Sequence, residues 1–585
     1  MKIKTIFGLT LATVSLAACS VEEQTDSKAQ LTEDYTREFI KEFGTINPNQ
    51  DWNVVEQKSV TVSSSSPVDV LIYEQQDGTY KLAANYKDVS GSTTLTFDGL
   101  EGDDTPFIVS IDGNKVAAKN GETINYKAST ASRAKRAPML DGSSSLVTRA
   151  SSPTQITLDK GDKTFKNLQK NDGKDNTTGG TVDEADQFLE VLEAGKGTTY
   201  YPMYWNSTNI HKVGLYYYDN NSSDCIEVPM YKDHDSEDIM YCPGKNNTNE
   251  FYYSEGNDES TQFTKTIISG GKKNKWNSGY FQGYTFKSHA YTVKPTTKSI
   301  ICGVYVEMSD GTKYYSDKDL NVDKTSHFAM RTVGSGENVY TYLCFDDPAD
   351  MATGGDGDKD YNDLVFYTPR TMSPVSHEDI SWLVACEDLG GTFDYDFNDI
   401  VFRVYHVSGN DYLTVVPVAA GGTLEAYLLY NGKQISEEWH QHFGDGYEYT
   451  DMINTGGISE NKVWPIRLTN LPTDWSMTSF TSASSDAAND ANDGGFSIQV
   501  TRADGQKVSV TRPSKGTAPQ MLVLPYSWQW PRELVRITSV YPDFGMWGEN
   551  YTNSSWTSNK VEDKYINMSE SNFTATKAPK VMSAE

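Results

Sequence analysis

A short acidic motif occurs twice in the chain, and its residue types are those that bind a hard metal ion. Both copies end in D-x-D-[YF]-N-D-[LI]-V-F, displaced by 36 residues, and an acidic pair lies upstream in each copy. The oxygen-bearing side chains of the first copy are Asp346, Asp347, Asp356, Asp358, Asp360, Asn362 and Asp363. Those of the second copy are Glu387, Asp388, Asp394, Asp396, Asn398 and Asp399.

Carboxylates crowded into one loop repel one another unless a cation lies among them. Ca²⁺ prefers about six to eight oxygen ligands, whereas Mg²⁺ accepts fewer ligands from a protein. We therefore predict that each loop binds Ca²⁺. The alternative is a solvated acidic turn, because Asn and Asp also favour turns. The first loop has the D-x-D-x-D spacing of an EF-hand at Asp356, Asp358 and Asp360 but is not one, since Tyr361 and Tyr367 stand where that motif needs its glycine and its bidentate glutamate.

Each acidic loop must be positioned by the strand that follows it. Leu-Val-Phe ends the first copy at Phe366, and Ile-Val-Phe ends the second copy at Phe402. Such apolar runs are typical of buried strands. Similar short runs, separated by polar turns, recur along most of the chain. The sequence therefore predicts an all-β protein built from tandem β-sandwich or jelly-roll domains.

The segment from Leu31 to Gly44 is the exception, because it has a helical period. Tyr35, Phe39 and Phe43 recur every four residues and would form one apolar face. Acidic residues occupy the first turn, and a glycine ends the pattern. We predict a short N-terminal helix that packs on the body of the protein.

Domain boundaries follow from changes in composition and periodicity. Residues 1–18 form a leader, 19–53 a tether and the helix, 54–126 a small β-domain, and 127–154 a disordered basic linker. A β-sandwich over 155–367 ends in the first acidic loop, and 368–378 form a joint that contains prolines. A β-domain over 379–573 begins with the second acidic loop, and 574–585 form a frayed tail.

The second acidic loop belongs to a series of motifs in a fixed order. After C-E-D-L come V-V-P-V-A-A-G-G-T-L-E-A-Y (Val415 to Tyr427), E-W-H-Q-H-F-G (Glu438 to Gly444), M-I-N-T-G (Met452 to Gly456) and W-Q-W-P-R-E from Trp528. From about residue 380 onward, this series resembles the LruC-domain lipoproteins of Gram-negative bacteria. The first copy and the β-rich stretch before it look like a related domain. The resemblance implies a cell-envelope lipoprotein with all-β domains, and it implies no known activity.

The first residues have the parts of a secretory signal. Two lysines precede an apolar run from Ile6 to Leu16, and the next residues, Ala-Ala-Cys, resemble a lipobox. Cys19 would then be the lipidated first residue of the mature chain, and an ordinary secreted protein is the alternative. Glu22 and Glu23 soon follow, which resembles signals for surface display. We predict a lipid anchor in the outer membrane, with the outer face favoured over the periplasmic face.

Composition limits the class of function. The formal net charge of −29 repels phosphate backbones, so we expect no nucleic-acid partner. The sequence has no G-x-S-x-G elbow, phosphate loop, Rossmann glycine pattern or H-E-x-x-H motif. His440 and His442 would share one face of a strand as a zinc pair, or else pack as ordinary buried side chains.

We therefore predict a non-catalytic, calcium-stabilised surface lipoprotein with a structural or adhesive role. A carbohydrate-binding module is the alternative, with a glycan or a surface protein as partner. Its candidate rings are Tyr200, Tyr201, Tyr204, Trp205, Tyr216, Tyr217 and Tyr218. A glycan hydrolase is the third hypothesis, because paired carboxylates are abundant in so acidic a chain.

The remaining cysteines are Cys225, Cys242, Cys302, Cys344 and Cys386, an odd number without paired spacing. We predict buried free thiols. A bridge between Cys225 and Cys242 is the alternative, since an exported protein can form disulfides.

Overall fold

The structure is a computed structural model that describes most of the chain from residue 30 onward. The described residues are 30–52, 54–127, 134–136, 146–150, 154–159, 161–164, 167–168, 182–184, 187–205, 207, 209–218, 225–231, 252–254, 263–265, 285–288, 290–348, 359–390, 393–478, 495–550, 554–561, 563–569 and 572–584. The predicted leader and Cys19 lie outside these residues, as does most of the predicted basic linker.

The chain divides into two compact units. One comprises Met1–Lys58, Phe97–Asp103 and Asp379–Glu585 and is called the terminal unit below; the other comprises Ser59–Thr96 and Asp104–Glu378 and is called the central unit. Most of the segment predicted as a small β-domain belongs to the central unit, because its long strands extend a sheet of that unit. The first acidic loop lies in the central unit, and the second lies in the terminal unit.

The described residues are mainly β-strands, as predicted. The central unit and its margins contain β1 (Val55–Gln76), β2 (Thr79–Leu100), β3 (Phe107–Ile111), β4 (Asn114–Ala118), β5 (Glu122–Asn125), β6 (Ala134–Arg136), β7 (Val147–Arg149), β8 (Thr154–Thr157), β9 (Asp183–Glu184), β10 (Gln187–Leu192), β11 (Thr198–Trp205), β12 (Ile210–Tyr218), β13 (Cys225–Tyr231), β14 (Tyr252–Ser254), β15 (Phe263–Lys265), β16 (Thr285–Ser288), β17 (Tyr291–Val293), β18 (Ile300–Met308), β19 (Lys313–Tyr315), β20 (Phe328–Val333), β21 (Tyr340–Phe345), β22 (Leu364–Thr368) and β23 (Ser373–Asp379).

Two large sheets build the central unit. One has the order β4-β3-β1-β2-β23-β10-β18-β12-β13-β6, with β5 beside β1 and β19 beside β18; the other has the order β7-β17-β11-β22-β21-β20-β9. A smaller sheet has the order β15-β14-β16-β8. Leu215 and Val304 from the first sheet share one buried cluster with Leu343 and Phe366 from the second. The two sheets therefore pack face to face as a sandwich.

The terminal unit contains β24 (Ser381–Cys386), β25 (Ile400–His406), β26 (Tyr412–Ala419), β27 (Glu425–Tyr430), β28 (Lys433–Gln434), β29 (Lys462–Val463), β30 (Ile466–Thr469), β31 (Phe496–Thr501), β32 (Lys507–Val510), β33 (Met521–Pro525), β34 (Thr574–Ala575) and β35 (Lys580–Ser583). Its sheets have the orders β33-β24-β25-β26-β30-β35, β28-β27-β31-β32 and β29-β34.

The last strand corrects one prediction, since the tail was expected to be frayed. β35 pairs in parallel with β30, from Ile466 opposite Lys580 to Thr469 opposite Ser583. The sequence gives no strand pattern here, because backbone hydrogen bonds make the pairing and the side chains of β35 are exposed or only partly buried.

Helices are few and short. The helix α1 spans residues 30–43, close to the predicted Leu31–Gly44, and it buries Tyr35 and Phe39. Gly44 ends it with a φ of 96°. Two further helices, α2 (Ile537–Val540) and α3 (Phe544–Glu549), lie near the end of the terminal unit. Within the described residues, no helix combines the length and apolar character needed to cross a bilayer.

Candidate metal centres

Both acidic loops connect neighbouring antiparallel strands. In the central unit Phe345 of β21 pairs with Leu364 of β22, and in the terminal unit Cys386 of β24 pairs with Ile400 of β25. Residues that follow the first strand therefore meet residues that precede the second. The two clusters that result are Asp346, Asp360 and Asp363, called the first centre, and Glu387, Asp394 and Asp396, called the second centre.

Within each cluster, every side chain offers one oxygen that lies within 4.8 Å of the others. Asp347, Asn362, Asp388, Asn398 and Asp399 lie beside these clusters, in the same loops. Asp356 and Asp358 lie outside the described residues, so the structure does not place these two predicted ligands.

The two loops share an unusual backbone. Lys359 and Tyr361 have φ values of 54° and 54°, and the matching residues Tyr395 and Phe397 have values of 55° and 53°. A left-handed conformation costs a residue other than glycine about 1 kcal/mol or more. The same two positions adopt it in both loops, so the surrounding structure imposes a specific loop shape twice.

Side-chain hydrogen bonds also repeat between the loops. The Asp347 amide donates to Asp363 Oδ2 at 2.7 Å, and the Asp388 amide donates to Asp399 Oδ2 at 2.7 Å. In each loop, these bonds join the backbone just after the first strand to the aspartate just before the second strand. Asp363 and Asp399 thus each use one carboxylate oxygen to hold the backbone of their loop.

The two asparagines have matching roles. Asn362 Nδ2 donates to the Leu168 carbonyl at 3.2 Å, and Asn398 Nδ2 donates to the Pro531 carbonyl at 3.2 Å. Each loop is therefore fastened to a segment distant in the sequence. In the second loop, Asn398 Oδ1 is buried without a hydrogen-bond partner among the described residues.

The first centre is well buried. Asp346, Asp360 and Asp363 are each no more than 3% exposed. Burial raises the pKa of Asp363 well above its usual range, and the Asp347 amide opposes this effect. Asp347 is held from the other side, since its Oδ2 accepts bonds from Ser207 Oγ at 2.6 Å and Asn209 Nδ2 at 3.0 Å.

At the second centre Glu387 and Asp396 are buried and Asp394 is partly exposed, and the three carboxylates repel one another. Burial, followed by repulsion from Asp396 and Asp394, raises the pKa of Glu387 well above its usual range. Burial raises the pKa of Asp388 to about 6 and that of Asp396 to about 8. It also raises the pKa values of Asp394 and Asp399. Without a cation, the charged forms of these groups are therefore disfavoured.

Three residues at the second centre were not predicted from the sequence: Gly421, Gly422 and Glu533. A Cβ on Gly422 would lie 3.0 Å from Asp388 Oδ2, so this glycine leaves room for the carboxylate. Burial, followed by repulsion from Asp394, raises the pKa of Glu533 to about 7, and the nearby Thr455 hydroxyl lowers it. The glycines lie in the quoted V-A-A-G-G motif and the glutamate in W-Q-W-P-R-E, but their spacing in the sequence gave no sign that they meet.

The two histidines pack as buried side chains in a 3-10 helix, Trp439–His442, and not on a strand. His440 Nδ1 lies 2.9 Å from Glu438 Oε1, and its Nε2 lies 3.1 Å from the Gly422 carbonyl. Within the described residues, no histidine belongs to a group of three possible metal ligands. His440 instead supports the glycine turn at the second centre.

The aromatic rings considered for glycan binding are mostly internal. Tyr200, Tyr216 and Tyr218 are each no more than 1% exposed. Tyr201 and Tyr217 are partly buried, and the side chains of Tyr204 and Trp205 are outside the described set. This arrangement gives the rings a packing role in the central unit.

The described cysteines are buried thiols. Cys225, Cys302, Cys344 and Cys386 are free and buried, and Cys242 lies outside the described residues. Burial raises the pKa of each of these four thiols, so all are poor nucleophiles.

Comparisons with known proteins add little. No protein-family model matches the chain, and no curated protein matches it. A solved structure from Bacteroides ovatus, described as a candidate lipoprotein, is similar over 46% of this chain and 90% of its own, with 15% identity and a TM-score of 0.21. A likeness at this level supports no argument about family, ligand or activity.

Proposed function

We propose that both acidic loops bind Ca²⁺ and that the bound ions stabilise a non-catalytic, lipid-anchored surface protein with a structural or adhesive role. The proposal depends chiefly on the second centre. Glu387, Asp394 and Asp396 crowd their oxygens within 4.8 Å of one another. Among the described residues, no cationic side chain lowers the pKa of the buried Glu387 or Asp396, whereas Asp394 is partly exposed and has the Arg536 charge nearby. Buried carboxylates need a cationic partner, and a divalent cation would supply it.

The orientation of Asn398 is a second, independent observation. Its side chain is 0% exposed, and its Nδ2 is committed to the Pro531 carbonyl. Its Oδ1 has no hydrogen-bond partner among the described residues. A buried acceptor left unpaired costs about 1–3 kcal/mol. Because amide oxygens are common Ca²⁺ ligands, ion binding would remove this penalty.

The donor set favours Ca²⁺ over other metals. Every side chain that could bind an ion at either centre offers oxygen, whereas zinc sites in proteins use mainly nitrogen and sulfur. Mg²⁺ requires near-octahedral geometry and keeps several waters. A loop that supplies many carboxylates fits the larger and more adaptable coordination of Ca²⁺.

Isothermal titration of the chain from Ser20 to Glu585 with CaCl₂ tests the binding. We expect Asp396→Asn to lower the Ca²⁺ affinity of the second centre and Asp360→Asn to lower that of the first. Asp445→Asn is the matched control, because Asp445 is exposed and belongs to neither loop. Equal Ca²⁺ affinity in all four proteins, or no binding by the unmodified chain, would refute the proposal.

We also propose that Cys19 carries the lipid, as its lipobox resemblance implies, and that the chain is an LruC-like protein displayed on the outer membrane. Metabolic labelling with radioactive palmitate in a Gram-negative host should label the full chain and fail to label Cys19→Ala. Protease added to intact cells should then digest the anchored protein. Labelling of the alanine variant would contradict the anchor, and protection from protease would place the protein on the periplasmic face.

A further inference from the structure

We infer that Glu533, far beyond the second acidic loop in the sequence, is a ligand of the cation bound there. This inference rests on the proposed cation function. Two oxygens, Asn398 Oδ1 and Glu533 Oε2, are buried without a hydrogen-bond partner of normal geometry among the described residues. The ligand class is a divalent cation with a preference for oxygen, represented by Ca²⁺.

Both oxygens lie close to the backbone of Gly421. A Cβ on this glycine would lie 2.1 Å from Asn398 Oδ1 and 2.7 Å from Glu533 Oε2. These distances are shorter than any van der Waals contact, so a side chain at this position would collide with both groups. The absence of a side chain at Gly421 therefore lets both oxygens approach the same point of the backbone.

The backbone around Glu533 holds it against the loop. Asn398 Nδ2 bonds to the Pro531 carbonyl, and the Leu534 amide donates to Asp396 Oδ2 at 2.9 Å. The Glu533 amide donates to the Thr455 carbonyl at 2.7 Å. Because residues on both sides of Glu533 are bonded to the acidic loop, its carboxylate is kept beside Asp394 and Asp396.

Charge supports the same assignment. Glu533 repels Asp394, and Asp396 in turn is repelled by both. Glu533 is outside the group of three whose oxygens lie within 4.8 Å of one another. A further acidic group beside such a centre is unfavourable in the absence of a cation and favourable in its presence. The competing explanation is a protonated Glu533 that donates a hydrogen bond to a neighbouring oxygen. Glutamine can imitate that protonated acid, so the substitution Glu533→Gln separates the two explanations.

Calorimetric Ca²⁺ titration and thermal melts of the chain from Ser20 to Glu585 provide the test. We expect Glu533→Gln to raise the Kd of one site at least tenfold, since even indirect changes around a metal commonly have such an effect. In EDTA its melting temperature should equal or exceed that of the unmodified protein, because repulsion is reduced. Glu549→Gln is the matched control, as Glu549 is an exposed glutamate of the same unit.

Substitution of the glycine gives an independent check. Gly421→Ala should also weaken Ca²⁺ binding at one site, because its methyl group would push Asn398 Oδ1 and Glu533 Oε2 away from their positions. Gly446→Ala is the control, since a Cβ there would meet nothing within 4 Å. Both alanine variants should leave the first centre intact.

The outcomes distinguish this inference from the proposed function. Normal Ca²⁺ binding by the unmodified chain and by Asp445→Asn, with an unchanged Kd in Glu533→Gln, would refute the ligand assignment and leave the calcium function standing. Loss of stability in EDTA for Glu533→Gln, with unchanged Ca²⁺ affinity, would also refute it in favour of a structural role. No Ca²⁺ binding by the unmodified chain would refute both.

Discussion

The ring of Tyr395 lies 5.1 Å from the ring of Tyr35, and the Tyr395 hydroxyl donates a hydrogen bond to the Tyr35 carbonyl at 3.2 Å. Tyr35 belongs to the helix α1, whereas Tyr395 lies between two candidate ligands, Asp394 and Asp396. Phe39 and Phe43 of the same helix also contact the Tyr395 ring. The N-terminal helix therefore rests directly on the second acidic loop.

This contact predicts that cation binding orders α1. A Ca²⁺ ion that fixes Asp394 and Asp396 would also fix the ring between them, so hydrogen exchange across residues 30–43 should slow when EDTA is replaced by Ca²⁺. Asp396→Asn should abolish the effect, and Asp360→Asn in the central unit should preserve it. Exchange mass spectrometry that found no Ca²⁺ dependence in this helix would count against the coupling.

A second prediction concerns the packing of α1. Phe39 is 1% exposed, and its ring centroid lies 4.6 Å from that of Phe43 and 5.7 Å from that of Trp52. We expect Phe39→Ala to lower the free energy of unfolding of the terminal unit by about 3–5 kcal/mol. Ile40→Ala is the control, because Ile40 is 40% exposed and should change stability little. If urea melts show that Phe39→Ala and Ile40→Ala lower the free energy of unfolding equally, the burial of Phe39 is contradicted.

A third prediction concerns the response to acid. Burial lowers the pKa of His442 to about 4. The hydrogen bond between its Nδ1 and the Trp464 carbonyl, at 2.7 Å, acts in the opposite direction but is the smaller effect. Its Nε2 accepts a bond from the Glu437 amide, so the neutral ring suits both partners. The unfolded chain, with a histidine pKa of about 6.5, binds more protons between about pH 6.5 and 4. The stability that His442 contributes is therefore present above this range and falls as the pH falls through it.

The contribution of His442 to the free energy of unfolding should be smaller at pH 5 than at pH 7 by about 2 kcal/mol. His442→Gln cannot gain the proton, so its free energy of unfolding should fall less over the same range. The exposed His377 gives the control variant, His377→Gln, which should behave like the unmodified protein. Denaturant melts at pH 7 and pH 5 measure both changes, and parallel losses in all three proteins would show that His442 is not the cause.

Local features of the chain could be predicted because the sequence around them determines them. The period of Tyr35, Phe39 and Phe43 predicted the helix with bounds close to those observed. The apolar runs next to each acidic loop predicted strands, which are β22 and β25. The repeated motif also placed Asp360 and Asp396 at matching positions, where the residues on either side have matching left-handed φ values.

Contacts between distant segments could not be predicted. Leu534 bonds to Asp396, and Glu533 lies near it, only because the chain returns to the loop after β33. The periodicity of the sequence gives no sign of this return. The zinc hypothesis required His440 and His442 to lie on a strand, whereas they lie in a 3-10 helix. The pairing of β35 with β30 was not predicted because it is made by backbone hydrogen bonds, which any sequence can form.

The most direct test of the account is a thermal melt of the chain from Ser20 to Glu585 in EDTA, in CaCl₂ and in MgCl₂. Because an ion that binds only the folded state adds about 2.7 kcal/mol at one hundred times its Kd, Ca²⁺ should raise the melting temperature by several degrees. Mg²⁺ should have a smaller effect, and the double variant Asp360→Asn, Asp396→Asn should lose the Ca²⁺ response. An unchanged melting temperature with every cation would contradict the calcium sites and identify the acidic loops as ordinary turns.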